Sequence, residues 1–140
     1  MKLSAIASVF AVAVAGAPTD VTPRYDVTDF IAYCSTDGGS CYYDFAVVQH
    51  ANGETIPTQC NTAADSDDGA LPGVTDGKCN SSRTFAVIRN EDGSLNFSVT
   101  QQITPISYTT GNHTIPANQI EKKDGAETYV GPKSFGLYSS

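Results

Sequence analysis

Apolar and polar residues alternate along short segments through most of this chain. The strongest segment is residues 40–49, where every second position is apolar or aromatic and would share one face of a strand: Cys41, Tyr43, Phe45 and Val47. Residues 84–90 and 95–103 repeat the alternation on either side of the turn-forming residues 91–94. This arrangement predicts a β-hairpin.

Other short alternating segments lie at residues 26–33, 106–110 and 128–130, and Gly111 with Asn112 suggests a further turn. No segment has a sustained 3.6-residue apolar period, and a short helix fits only residues 117–123. Seven or more short strands joined by tight turns predict an all-β fold. Because parallel strands would need crossover helices, we expect an antiparallel β-sandwich or β-barrel.

The N-terminus has the pattern of a secretory signal peptide. A short basic start is followed by an apolar run to Val14 and by small residues around Ala15 and Ala17. The run is too short to span a membrane, which needs about 20 apolar residues. We therefore expect residues 1–17 to be a cleaved signal peptide and residues 18–140 to be a single secreted β domain. Cleavage after Ala15 is the alternative.

The charge of the chain is acidic. Removal of Lys2 with the leader would leave seven basic and fifteen acidic residues. Such a surface repels phosphate backbones and anionic lipid head groups. We therefore expect no nucleic-acid binding and no membrane insertion. The leader predicts an extracellular protein, and an even number of cysteines that can all pair within the chain favours a monomer.

Four cysteines occur, at Cys34, Cys41, Cys60 and Cys79. In a small secreted chain an even number predicts two disulfides, and four cysteines allow three pairings. The turn-forming residues 35–40 between strand-like segments favour Cys34–Cys41, which leaves Cys60–Cys79. No pair has the spacing of a zinc site or of a Cys-x-x-Cys redox site.

Residues 61–78 lack strand alternation and are predicted to be a long loop, tied at its ends by cysteines. Loops of this length in compact domains are frequently functional. This loop contains four carboxylates that we take as candidate recognition residues: Asp65, Asp67, Asp68 and Asp76. Their spacing does not fit an EF-hand, so we expect no metal and no cofactor.

No catalytic residues are predicted. The two histidines, His50 and His113, adjoin predicted turns and have no neighbouring nucleophile motif, so we expect exposed turn residues and no enzyme. Tyrosines are candidate sugar-stacking residues: Tyr42, Tyr43, Tyr108 and Tyr129. Three Asn-x-Ser/Thr sequons make Asn80, Asn96 and Asn112 candidate glycosylation sites, and Asn96 must then point outward from its strand.

The leader, the four cysteines and the acidic pI near 4.5 resemble small secreted fungal elicitors of the rice blast type, which induce the hypersensitive response. Residues 25–30 and 42–47, with Cys60 and Cys79, are also broadly similar to the Alt a 1-like allergen and elicitor group. The resemblance implies a β-sandwich or β-barrel protein that plant cells perceive, with a surface receptor or apoplastic protein as partner. The alternative is a secreted binding module or inhibitor of a host protein or cell-wall polysaccharide.

Overall fold

The computed structural model describes residues 22–36 and 39–139, and the predicted signal peptide lies outside this part. The described chain is all-β, as the alternation predicts. Its strands are β1 (Tyr25–Cys34), β2 (Ser40–Gln49), β3 (Thr58–Asp65), β4 (Val74–Cys79), β5 (Thr84–Arg89), β6 (Leu95–Thr104), β7 (Ser107–Ile115), β8 (Ile120–Lys123), β9 (Ala126–Tyr129) and β10 (Phe135–Leu137).

Strands β1 to β7 pair antiparallel in chain order, as expected for strands joined by short connections. Strand β10 returns to pair with β1, and the hairpin β8–β9 also pairs with β1. Just beyond β10, the backbone of Tyr138 exchanges hydrogen bonds of 2.7 and 2.9 Å with Asn112 of β7. This seam joins the two ends of the series and closes the curled sheet into a barrel.

The alternation in β1 is interrupted by a bulge. Asp29 has a φ of 55°, and the register with β2 shifts between Thr28 and Ile31. An extra residue moves the side chains after it to the opposite face. Val27 and Phe30 therefore both point into the core, although strict alternation from the sequence places them on opposite faces.

The barrel interior is filled mainly by aromatic rings. Phe97 is fully buried and its ring centroid lies 5.3 Å from that of Phe30 and 4.9 Å from that of Phe45. Both contacts are edge-on, the geometry that aromatic pairs prefer. Phe85 and Phe135 extend the cluster toward β5 and the closing strand. The inward positions of β2, β5 and β6 are those that the alternation predicts.

Two disulfides cross-link neighbouring strands, Cys34 with Cys41 and Cys60 with Cys79, which confirms the pairing favoured from the sequence. Each joins residues that stand directly opposite each other in the sheet. In the chain-entropy model the shorter loop contributes about 2.5 kcal/mol and the longer about 3.3 kcal/mol.

Three sequence predictions are wrong in detail. Residues 61–78 are not one long loop, because β3 and β4 occupy both ends and only residues 66–73 connect them. The predicted helix over residues 117–123 is a single 3-10 turn, Ala117–Gln119, followed by strand β8. Gly111 and Asn112 form no turn, since β7 runs straight through them.

Position 111 is a glycine because the seam leaves no room for a side chain there, and not because the chain turns. A Cβ at this position would lie 2.8 Å from Cβ of Leu137 and 3.0 Å from a ring carbon of Tyr25. Real Cβ atoms rarely approach other atoms so closely, and here the neighbours belong to β10 and β1. Glycine therefore lets the closing strand pack against β7.

We expect Gly111→Ala to lower the free energy of unfolding by about 1–3 kcal/mol, the usual cost of forcing an extra methyl into a packed core. Urea denaturation, monitored by circular dichroism, measures the change in the free energy of unfolding. Gly39→Ala is the matched control, because a Cβ at Gly39 meets nothing within 4 Å. Equal stability of the two variants would show that the seam tolerates a side chain.

Candidate recognition surface

The connection between β3 and β4, residues 66–73, is an ordered turn. Asp68 accepts hydrogen bonds from the backbone N–H of Ala70 at 3.0 Å and from the Ser66 hydroxyl at 3.2 Å. Ser66 Oγ also lies 2.7 Å from the carbonyl oxygen of Ala70. Asp and Ser side chains close turns in this way because they reach backbone groups two to four residues away.

The turn is tied to the β8–β9 hairpin. Gly69 has a φ of 76°, and a Cβ there would overlap the carbonyl oxygen of Gly125. The backbone N–H of Glu127 donates to the Gly69 carbonyl at 2.8 Å, and the Leu71 N–H donates to the Glu127 carboxylate at 2.8 Å. Hydrogen bonds in both directions therefore hold the connection against the β8–β9 hairpin.

Arg89, the last residue of β5, completes this anchor. Its guanidinium donates to both carboxylate oxygens of Glu127, at 2.6 and 3.1 Å, and to the Leu71 carbonyl at 3.0 Å. Bidentate arginine–carboxylate pairs of this kind are among the stronger polar interactions in proteins. Burial alone would raise the pKa of Glu127, but the hydrogen bonds from Arg89 and Leu71 outweigh it and the pKa is lowered.

An open acidic groove of about 460 Å³ lies beside this anchor. Asp65, Asp67 and Asp68 line it, with Arg89 among the other lining residues. Because Arg89 is already paired with Glu127, the charge presented to solvent is negative. Hydrogen bonds from Ala70 and Ser66 lower the pKa of Asp68, so this carboxylate stays ionised in mildly acidic surroundings. We call the groove lined by Asp65, Asp67 and Asp68 the acidic groove.

Asp76, the fourth predicted recognition residue, lies in strand β4 and does not line the acidic groove. Its carboxylate is 3.1 Å from Nζ of Lys78, and both side chains are largely exposed. Such a surface pair contributes little to stability. The structure thus brings together three of the four predicted carboxylates.

A second arginine anchor occupies the opposite end of the barrel, where β5 begins. Arg83 is buried and donates to both carboxylate oxygens of Glu54, at 2.7 and 2.8 Å, and to Gln101 at 2.8 Å. Its guanidinium also lies over the Tyr25 ring at 5.5 Å, within the range of a cation–π contact. Hydrogen bonds from Arg83 are the main reason that the pKa of Glu54 is lowered.

Sequence reasoning missed both arginine anchors, although a signal exists. Arg83 immediately precedes β5 and Arg89 ends it, and both have the same alternation phase as the inward residues Phe85 and Val87. An arginine in the inward phase at the end of a strand predicts a buried guanidinium that needs a carboxylate partner. The identity of that partner does not follow from the pattern, because Glu54 and Glu127 are distant in sequence.

The histidines have different environments. His50 follows β2 in a turn, as predicted, and its Nδ1 lies 2.7 Å from Asp26 Oδ2. His113 is not a turn residue: it lies within β7, half-buried, with its ring stacked on Phe135 at 4.3 Å. Burial lowers the pKa of His113. The apolar environment therefore favours the neutral ring.

The candidate stacking tyrosines also separate. Tyr43 and Tyr129 are buried in the core, whereas Tyr42 and Tyr108 are exposed. Tyr42 stands opposite Tyr33 across β1 and β2, with ring centroids 5.2 Å apart on the outer face of the sheet. No sequence pattern singles out Tyr33, because the strand register alone sets its partner. We call Tyr33 and Tyr42 the tyrosine pair.

All three sequon asparagines are within the described chain. Asn80 is exposed in the connection between β4 and β5, and Asn96 is exposed on the outer face of β6. Asn112 is half-buried at the seam.

Among residues 22–36 and 39–139, no cluster of three or more His, Cys, Asp or Glu side chains is placed to hold a metal ion. The same residues include no helix of the length and apolarity needed to cross a membrane. Two disulfides are consistent with an extracellular protein. Comparison with protein-family models, with curated proteins and with solved structures finds no match for this chain.

We expect Glu127→Gln to reduce the free energy of unfolding at neutral pH by about 1.5–3 kcal/mol, the range for a hydrogen bond to a charged group. The folded-state pKa of Glu127 is lowered, so its contribution is present above the usual glutamate pKa and is lost as pH falls through the lower folded-state value.

Chemical denaturation between pH 7 and the acid limit of the native state tests this. The difference in the free energy of unfolding between wild type and Glu127→Gln should become smaller below about pH 4.3, the ordinary glutamate pKa. Glu121→Gln, an exposed change on the neighbouring strand β8, is the control and should leave stability unchanged. A pH-independent difference would contradict the ion-pair account.

Proposed function

We propose that this protein is a secreted fungal elicitor or effector that plant cells perceive through its surface, with defence and hypersensitive cell death as the response. The support is the resemblance of the leader and cysteine pattern to such proteins, together with a cross-linked fold consistent with an extracellular location. Its action needs no turnover of a substrate.

The observation on which this proposal depends most is the rigid acidic groove. A loop fixed by Glu127 and Arg89 presents its carboxylates without a large ordering cost on binding, which favours recognition. Negative charge held in one place selects a partner with a basic surface and increases the rate of encounter. We therefore propose that the partner is a basic face of a plant surface receptor or apoplastic protein, bound by a monomer.

The two cross-strand disulfides suit this role. Bridges within the barrel lower the probability of the opened states that proteases cleave. Cys34, Cys41 and Cys60 are also buried, so access of external thiols to these sulfurs is restricted. A protein that acts by being recognised benefits from lasting long enough in the apoplast to meet its receptor.

We expect the triple variant Asp65→Asn, Asp67→Asn and Asp68→Asn to lose most of the defence response when purified protein is infiltrated into leaves. The substitutions remove charge from the acidic groove and retain side-chain size. Asp76→Asn is the matched control, because it removes a carboxylate outside the groove. Ion leakage and visible cell death are the measurements.

Circular dichroism and the unfolding midpoint must match wild type for each variant, so that a lost response reports lost recognition. An unchanged response to the triple variant would exclude the acidic groove as the perceived surface. No response to wild-type protein at a micromolar dose would exclude the elicitor function.

A second candidate function, binding of a cell-wall polysaccharide, is favoured by the tyrosine pair. Two exposed aromatic rings, tilted by 37° relative to each other, offer apolar surface against which the C–H faces of sugar rings pack. Hydroxyl groups of the same tyrosines are available for hydrogen bonds.

If this candidate is correct, Tyr33→Ala with Tyr42→Ala should weaken binding to soluble wall glucan or xylan about tenfold, equivalent to about 1.4 kcal/mol. Affinity gel electrophoresis measures the retardation. Tyr108→Ala is the control, since Tyr108 is also exposed but stands outside the pair. Equal migration of all three proteins with and without polysaccharide would exclude this function.

A further inference from the structure

Two of the three sequons face each other across neighbouring strands. Strands β6 and β7 are antiparallel, and their register places Asn96 opposite Thr114 and Ser98 opposite Asn112. The asparagine of each sequon therefore stands opposite the hydroxyl residue of the other. Both acceptors lie on one patch of the outer sheet surface, but their environments differ.

The amide of Asn96 is oriented by the opposing sequon. Thr114 Oγ1 donates a hydrogen bond to Asn96 Oδ1 at 3.0 Å. This bond fixes the oxygen toward β7 and so directs Nδ2, the atom that an N-linked glycan modifies, away from Thr114. Because the side chain is exposed, a sugar on Nδ2 projects into solvent and leaves the bond to Thr114 in place.

The neighbour of Asn96 on the other side is Ile88 of β5, which stands directly opposite it in the sheet. Its side chain is 60% exposed, which is high for an isoleucine in the middle of a sheet. Ile88 and Asn96 line one shallow groove of about 300 Å³. The C–H face and acetyl methyl group of a first N-acetylglucosamine would cover apolar surface here, which is favourable.

Asn112 lines the same groove, but its amide makes a different contact. Its backbone forms both hydrogen bonds of the seam with Tyr138, and its Nδ2 lies 3.5 Å from the Tyr138 carbonyl oxygen. The nitrogen that would bear a sugar thus faces the segment that closes the barrel. A sugar on this nitrogen would crowd the contact with Tyr138 and so would oppose closure.

We propose that Asn96 carries an N-linked glycan whose first sugar packs on Ile88, and that the secreted protein has no glycan at Asn112, because a sugar on that amide would oppose closure of the barrel seam. The inference depends on the proposed export, since N-glycosylation takes place in the secretory pathway. Asn80 serves as an internal reference, because it is an exposed sequon in a connection between strands.

The test is secretion of the full chain from yeast, followed by enzymatic removal of N-glycans and mass-spectrometric mapping of the asparagines converted to aspartate. We expect conversion at Asn80 and Asn96 and none at Asn112. The variant Ser98→Ala should lose the sugar at position 96 only, since it destroys that sequon and keeps Asn96 and Thr114.

Conversion at Asn112 in the folded protein would overturn the inference. A glycan at Asn80 without a glycan at Asn96 would also overturn the inference, but it would leave the proposed export intact. A chain without sugar at any sequon would count against both. Asn112→Gln should be secreted with the same glycan mass as wild type, which separates an unused site from one that is lost through misfolding.

Packing on Ile88 has its own readout. Removal of the glycan should increase the fluorescence of a dye that binds exposed apolar surface, and the increase should disappear in Ile88→Thr. Trimming to a single N-acetylglucosamine should leave the fluorescence at the level of the intact glycoprotein. An equal increase in wild type and Ile88→Thr would overturn the contact between sugar and isoleucine.

Discussion

The structure depends on the closure of a curled sheet at the seam between β7 and the segment that follows β10. Without that contact, β7 would present an open edge, and unpaired strand edges are templates for association with other chains. Closure requires Leu137 and Tyr25 to approach Gly111 more closely than any side chain allows. The aromatic core then lies inside a sheet that is closed at this seam.

A closed barrel must also be closed at its two ends, and here the chain uses arginines. Arg83 and Arg89 stand at opposite ends of β5, and each is held by a glutamate from a distant connection or strand. These pairs satisfy buried and partly buried polar groups and fix the connections that they contact. The contacts between Arg89 and Glu127 hold the connection that lines the acidic groove. The same ion pair therefore stabilises one end of the barrel and shapes the proposed recognition surface.

The outer surface is divided by chemistry. Carboxylates gather at the end with the Arg89 anchor, tyrosines pair on the face of β1 and β2, and two sequons meet on the face of β6 and β7. A glycan at Asn96 would lie on the last face, whose groove shares no lining residue with the acidic groove. The proposed modification and the proposed recognition therefore use different surfaces of one rigid scaffold.

The sequence by itself determined the all-β class, the strands with regular alternation, the disulfide pairing that was favoured and the hairpin of β5 and β6, because these depend on local periodicity and turn chemistry. The bulge at Asp29, the strand through Gly111 and the partners of Arg83 and Arg89 were decided only by the tertiary structure. Each depends on contacts between residues far apart in the chain. The same holds for the acidic groove: sequence identified its carboxylates, but Asp76 was separated from the others by the register of β4, which no local pattern encodes.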